Sequence, residues 1–356
     1  GRICKRLIHQ NILHDPSPTK SVDIFEDAIT RRIETGQCWF DGILCPFPVS
    51  FRGKGFEGTT SFHGAQFLAG VDFRDTTFNG RTTVFSDCRF QGPEVDFAGA
   101  TFSSTKTDFS RCLFEVDAVS FERVSFLGDE LQMANVVFQA SRGVAFALSR
   151  FRGKTVSFQS TVFRGHAVFF EGAEFAVDEV DFSNARFESN LLSFEEIVQR
   201  QGRFTFARSV IEGGRCSFAS SRWNGDVLLL TRIQWNLDHL EFRGARLGLG
   251  SLLSFKAARI NGNTISFEET VFLTPSIAFG WASFTARDAI RFDRVDWEGE
   301  ISGNGLKLNS PVVSFRGAHF GGKSLELTSS RIEANLFDAS QTEFVSSRVS
   351  FSNARL

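Results

Sequence analysis

Tyrosine is absent from these 356 residues, although 43 phenylalanines are present. Positions that accept Phe and never Tyr belong to a dry, stacked interior, where a phenolic hydroxyl would find no hydrogen-bond partner. Methionine, the flexible gap-filler of ordinary cores, occurs once. No apolar run reaches the length of a transmembrane helix, and no secretory signal peptide is visible, so neither a membrane partner nor secretion is expected. The sequence starts at Gly1 without a methionine, from which removal of an upstream stretch is expected. Net charge is also missing: 39 Lys and Arg against 41 Asp and Glu leave −2. That balance gives no global field for nucleic acid and lacks the strong negative potential of a nucleic-acid mimic.

What is present is a repeat. Val180-Asp181-Phe182-Ser183-Asn184-Ala185-Arg186-Phe187 reads V-x-F-x-x-A-x-F. Val95 to Phe102, Val313 to Phe320 and Val349 to Leu356 follow the same pattern. From about Cys38 onward the first large slot recurs mostly every twelve residues, as at 73, 85, 97, 109 and 121. A fixed period of this kind marks a solenoid, in which each repeat contacts only its neighbours. The apolar residues come in pairs two apart, Val180 with Phe182 and Ala185 with Phe187, which places each pair on one side of a short extended segment. The two residues between the pairs must turn the chain. The second of them is Gly at 53, 64, 99, 172, 244, 305 and 317 and Asn at 135, 184 and 353, residues that tolerate positive φ. Cys38, Cys88, Cys112 and Cys216 fall in small inward slots and Cys45 in a large one, and no CxxC spacing occurs. Reduced core thiols and a cytoplasmic setting are expected.

Twelve residues at ~3.3 Å each give a perimeter of only about 40 Å, too small for facing Phe side chains. Late in the chain the second large slot alternates, with Phe320 and Phe344 in one set and Leu308, Ile332 and Leu356 in the other. Alternate copies are therefore different faces, and a coil takes two copies, 24 residues. The V-D-F-S-N and A-R-F elements resemble consecutive pentapeptide repeats of the A-(D/N)-(L/F)-x-x family. That resemblance covers about residues 38 to 356 and implies an all-β solenoid, a right-handed quadrilateral β-helix. Two extra residues after every second pentapeptide depart from the plain family pattern, so alternate corners are expected to be wider. Residues 37–356 are assigned to this solenoid, with about thirteen coils. Residues 1–36 lack the repeat and are read as a short α-helical N-terminal cap or linker, with a remnant of an upstream domain as the alternative. Ile3, Leu7, Ile8, Ile12 and Leu13 suit one short helix, and Phe25, Ala28, Ile29 and Ile33 a second, with Ser21 as N-cap and Gly36 as stop.

The pattern has blemishes. Gln199, Gly303 and Ala339 occupy large slots, and Trp223, Trp235 and Trp297 stand where Phe is expected, each indole N–H then needing a partner. No phosphate loop, zinc motif or nucleophile elbow occurs, and the six His are not at ligand spacing, so neither a cofactor, nor a metal, nor enzyme activity is expected. Glu195-Glu196 and Glu268-Glu269 read as solvated surface. Lys307, Arg331 and Arg355 lie 24 residues apart and should stack on one face, a candidate partner-binding ladder set against nearby acids such as Glu326. Phe344, Phe351 and Leu356 would leave a Phe-lined cross-section at the end of the sequence, a candidate homodimer interface. The expected function is a non-catalytic scaffold, a rigid β-helical rod that binds an unidentified protein. Family resemblance supplies one alternative, a DNA mimic that binds a type II topoisomerase such as gyrase. A nucleic-acid or anion binder using the basic ladder is the other, and the net charge disfavours nucleic acid.

Overall fold

In the computed structural model, which describes residues 12–17, 19–346 and 348–355, the backbone winds as a parallel β-solenoid with about 24 residues per coil and about 13 turns. Register follows the spacing read from the sequence: Thr77 pairs with Thr101 and Thr101 with Ser125, each step being 24 residues. Residues one coil apart therefore repeat at ~4.8 Å, the distance between hydrogen-bonded strands. Where a coil holds one residue more, the ladder shifts locally, as between Val116 and Ala118 and between Gly262 and Thr264. The contacts divide the chain into two compact units, Gly1–His166 and Ala167–Leu356.

In the first unit, helix α1 (Val22–Glu34) starts at Ser21, whose Oγ accepts from the Ile24 amide at 3.4 Å. Phe25, Ala28 and Ile29 form its buried side, and the Phe25 ring meets Phe47 edge-on at 5.2 Å. Lys20 Nζ donates to the carbonyls of Ile12 and Leu44 and lies 4.6 Å from the centre of the Phe25 ring, which ties the helix to the strand Leu44–Cys45. Burial lowers the pKa of this ammonium. Of the first expected helix, residues 3, 7 and 8 lie outside the described residues, and Leu13 is buried.

The coils of this unit enclose columns of Phe. Phe73 stacks on Phe97 with ring centres 4.7 Å apart and planes 1° apart, and Phe85 on Phe109 in the same geometry. Rings of neighbouring columns meet edge-on, as Phe85 does with Phe97 at 5.6 Å and 89°. Offset and T-shaped contacts both suit the aromatic quadrupole, and neither leaves room for a hydroxyl. Where the small slot holds Thr, Ser or Cys, a short donor reaches a carbonyl of an adjacent coil. Thr76 Oγ1 donates to Phe51 O at 3.0 Å, and the Cys88 and Cys112 thiols to Phe62 O and Phe85 O at 2.9 Å. Cys38, Cys45, Cys88, Cys112 and Cys216 are all buried and free. Burial pushes the Cys45 thiol up to about 12 and raises Cys88, with Cys112 as its next cause.

In the second unit one column keeps Phe as far as Phe315, with Phe194 on Phe218 at 5.1 Å and Phe218 on Phe242 at 4.6 Å, before Ala339. The other columns are mixed. Trp223 and Trp235 are fully buried, and their indole N–H groups donate to Ser221 Oγ at 2.8 Å and Ser209 Oγ at 3.2 Å. Trp297 departs from the expectation: its Nε1 is buried without a partner. Its ring stacks on Phe272 at 4.1 Å and 7°, and the stacking fixes the plane where no hydroxyl stands. Beside it, the side chain missing at Gly303 is replaced by Leu327, whose Cδ2 lies 2.4 Å from where a Cβ would be. An apolar cavity of about 40 Å³ remains, lined by Trp297, Leu306 and Leu327 among others.

Candidate binding surface

With its interior filled by rings, the solenoid presents its chemistry at the corners and outward strand positions. One corner of the second unit lies between the strands Arg203–Thr205 and Val210–Ser217 and their equivalents in the other coils. Its turns form a ladder of their own: Asn184 N donates to Ala207 O, Arg208 N to Thr231 O, Arg232 N to Lys256 O, Ala257 N to Gly280 O and Trp281 N to Asn304 O, all at 2.8–3.0 Å. The second turn residue is left-handed throughout, with φ of 58° at Asn184, 60° at Arg208, 55° at Arg232 and 60° at Trp281. Arg and Trp do not favour that conformation, so the hydrogen bond to the next coil over-determines it. The turn thus holds its side chain outward whatever its type.

The occupants of this corner are segregated by charge. Positions 184, 208, 232, 257, 281, 305, 329 and 353 are Asn, Arg, Arg, Ala, Trp, Gly, Ser and Asn, and Lys256 sits one residue earlier in its turn. Two residues after each lies the first position of the next strand, where Arg186, Arg259, Lys307, Arg331 and Arg355 stand. The register from Arg259 through Ser283, Lys307 and Arg331 to Arg355 is continuous. The three residues expected to stack, Lys307, Arg331 and Arg355, are therefore brought together on one line. No Asp or Glu occupies these positions. Among the described residues only Arg186, with Glu188 at 3.8 Å, and Arg331, with Glu333, form ion pairs on this line. Glu326, named from the sequence as a neighbour of the ladder, ends the strand that enters this corner and pairs with Arg348 at 3.4 Å, on the next coil of its own sheet. Trp281 is 69% exposed, and its indole covers Gly305 so closely that a Cβ there would meet Cε3 at 2.7 Å.

Several other corner and strand positions are neutralised, although Arg222 and Arg246 stack one coil apart at another corner. Arg215 bridges Glu195 at 3.3 Å and Glu241 at 2.7 Å, Glu269 lies between Arg243 and Arg294, and Arg291 reaches Glu268. The acid pairs read as solvated surface thus each hold an arginine, since one coil step brings opposite charges into reach. Arg294 holds the Glu269 carboxyl below its usual range. The hydrogen bonds from Ser340, followed by the Arg316 guanidinium, hold Asp338 at about 2. In the first unit the corner equivalent to the basic line is also paired: Asp87 joins Arg111 at 2.6 Å and His63 at 3.5 Å, and Arg89 joins Glu115 at 2.7 Å.

Gln199 stays buried, its Nε2 donating to Gly202 O at 2.9 Å while Oε1 has no partner, so this blemish does not bulge outward. Phe344 and Phe351 are 49% and 48% exposed, with Phe337 at 42% beside them, and Leu356 lies outside the described residues. Among the described residues no cluster of His, Cys, Asp and Glu could hold a metal ion. No helix among them is long and apolar enough to cross a membrane. Sequence reading found Lys307, Arg331 and Arg355 but missed Arg208, Arg232, Lys256, Arg259 and Trp281. Sorting corner residues into alternate copies would have revealed them, because only every second corner belongs to this line.

A family model described as pentapeptide repeats (9 copies) matches residues 62–113, the coils with the most regular Phe columns. No curated protein and no solved structure matches the chain. Over residues 62–113 the chain is thus similar to the pentapeptide-repeat family, and parallel coils of about 24 residues continue beyond that segment.

Proposed function

We propose that this protein is a non-catalytic scaffold whose outer faces bind other proteins. One observation carries the reading: stacked rings occupy the interior, so the charged groups of the coils lie on the outside, one coil apart, on a backbone that holds them in fixed register. Such a surface is suited to recognition by an array of weak contacts. The five buried, free thiols support a cytoplasmic setting. Mimicry of DNA toward a topoisomerase would call for an open acidic stripe. Here many acids are held by arginines, as Asp87, Glu115, Glu269 and Asp338 are, which favours the scaffold reading. The test is affinity capture with the intact chain and with a variant carrying Arg243→Ser and Arg294→Ser, with mass spectrometry of the bound proteins. Partners held by the intact chain and lost by the folded variant support the reading. The same set from both, or none from either, counts against it.

The apolar patch of Phe337, Phe344 and Phe351 carries a second proposal, contact with another copy of the chain. Light scattering should report a dimer that Phe344→Asp with Phe351→Asp converts to monomer. A monomeric unmodified chain at micromolar concentration would reject it.

A further inference from the structure

The basic corner of the second unit has a chemistry that the scaffold reading does not use. A net charge of −2 conceals a local separation: acids and bases cancel around Arg215 and Glu269, while this line keeps most of its cations, as the shorter Arg222–Arg246 step does at another corner. Ahead of Trp281 come Arg208, Arg232, Lys256 and Arg259, all exposed and, among the described residues, without an ion pair. Beyond it come Lys307, Arg331 and Arg355, of which only Arg331 has a carboxylate partner. From Arg186 to Arg355 there are seven coil steps, which at ~4.8 Å each give a line of about 34 Å. Acids flank the line on both sides: Glu188, Glu212 and Glu333 on the strands that leave the corner, with Glu188 and Glu333 on Arg186 and Arg331, and Asp181 and Glu326 on the strands that enter it, with Glu326 on Arg348.

We propose that this corner is a track for a single-stranded nucleic acid, with its phosphates along the Lys and Arg line and one base stacked on Trp281. Three features favour that ligand. The line is long and only one or two residues wide, which matches a linear polyanion and not the broad plane of a lipid surface. It advances one coil at a time in unbroken register from Arg259 to Arg355, so a flexible strand can follow it, whereas each backbone of a duplex winds around its own axis. Trp281 is exposed within the line and held outward by its turn, and an aromatic face in a row of cations is the arrangement that sequence-tolerant strand binding uses. Gly305 has a supporting role: any Cβ there would push the indole off its present seat.

The proposal goes beyond the scaffold reading and does not depend on it, since it concerns another surface. It is tested by fluorescence anisotropy of a labelled single strand of about 20 nucleotides, longer than the site of one ordinary binding module. Binding is expected at low salt, and if six cations meet phosphates, log K should fall against log salt with a slope of about −4. Changing Arg208, Arg232 and Lys256 to Glu should weaken binding by at least about 100-fold. The triple Gln variant provides the same reading with less perturbation, and circular dichroism checks that both remain folded. Trp281→Ala should cost about tenfold by removing the stacked base. Arg243→Gln at a paired corner should change nothing. A duplex of equal length and vesicles of phosphatidylserine in phosphatidylcholine form the competing arms. No binding of the single strand, equal or tighter binding of the duplex, binding of vesicles alone, or affinity indifferent to the triple change would each overturn the proposal.

Discussion

Residues 63–111 and residues 208–256 build the same corner with the same left-handed turn, yet the charge at the two places is handled in opposite ways. In the first unit His63, Asp87 and Arg111 neutralise one another across successive coils. In the second, Arg208, Arg232 and Lys256 follow one another with no acid between them. Their interiors differ in the same sense. The first unit repeats Phe on Phe with planes 1° apart at Phe73 and Phe97, while the second admits Gln199, Trp223 and Gly303. Because the coil-to-coil backbone hydrogen bonds set the geometry, corner residues are free to vary, and large slots can be filled by a neighbour leaning in, as Leu327 does at Gly303. The lattice fixes position, and the occupant of each position then decides what that surface can bind.

The largest effect expected from probing this contrast is in the Phe columns. Phe97→Ala removes a ring stacked on both sides, at 4.7 Å from Phe73 and 4.9 Å from Phe121, and should cost about 3–5 kcal/mol in urea unfolding. A loss under ~1 kcal/mol would mean that the regular interior tolerates gaps as the irregular one does. Gln199→Leu probes the other interior. It removes a buried oxygen with no partner, and Gly202 O, which loses the side-chain donor, still accepts from the Asp226 amide at 2.7 Å. A gain of about 1 kcal/mol is expected, and a loss would show that the Gln199 amide organises its coil.

Acidification should separate the paired surface from the unpaired one. Asp338 has a folded pKa of about 2 against an ordinary 3.8, so its contribution is present above 3.8 and disappears as pH falls toward 2. Asp87 and Glu269 are lowered too, by Arg111 and Arg294 first. Stability should therefore fall on acidification through the same range, and carboxyl NMR titration of Asp338 in an Arg316→Gln variant should move its midpoint upward. An unmoved midpoint would leave Ser340 as its sole determinant. The smallest effect belongs to the exposed pair: Arg111→Ser should leave the urea midpoint unchanged, because exposed ion pairs contribute little. A measurable drop there would make the paired corner a structural element and weaken its contrast with the basic one.

Much of the fold was legible because a solenoid writes its geometry as a period. The V-x-F-x-x-A-x-F pattern, the alternation of Phe320 with Leu308 and the absence of Tyr were sufficient to place the coil, its inward columns and the helix capped by Ser21. The Lys307, Arg331 and Arg355 ladder was equally legible, since a 24-residue spacing becomes a neighbour relation once the coil length is known. The rest of the basic line was not, because Arg208, Arg232 and Trp281 lie on a turn while Arg259 and Lys307 begin strands, and only the corner joins those two positions in space. The sequence also could not show which acids were spent. Glu326 looked like the ladder's counter-charge, and the sheet it belongs to gave it to Arg348. Close approach was equally hidden: Gly128 is required because a Cβ would lie 1.7 Å from Ser104 O of the adjacent coil, a contact between residues 24 apart. Periodicity by itself determined which side chains face inward, because burial of apolar surface obeys the alternation of an extended chain. Tertiary structure alone decided which outward charges meet, because ion pairing depends on a few ångströms across coils that a one-dimensional pattern does not contain.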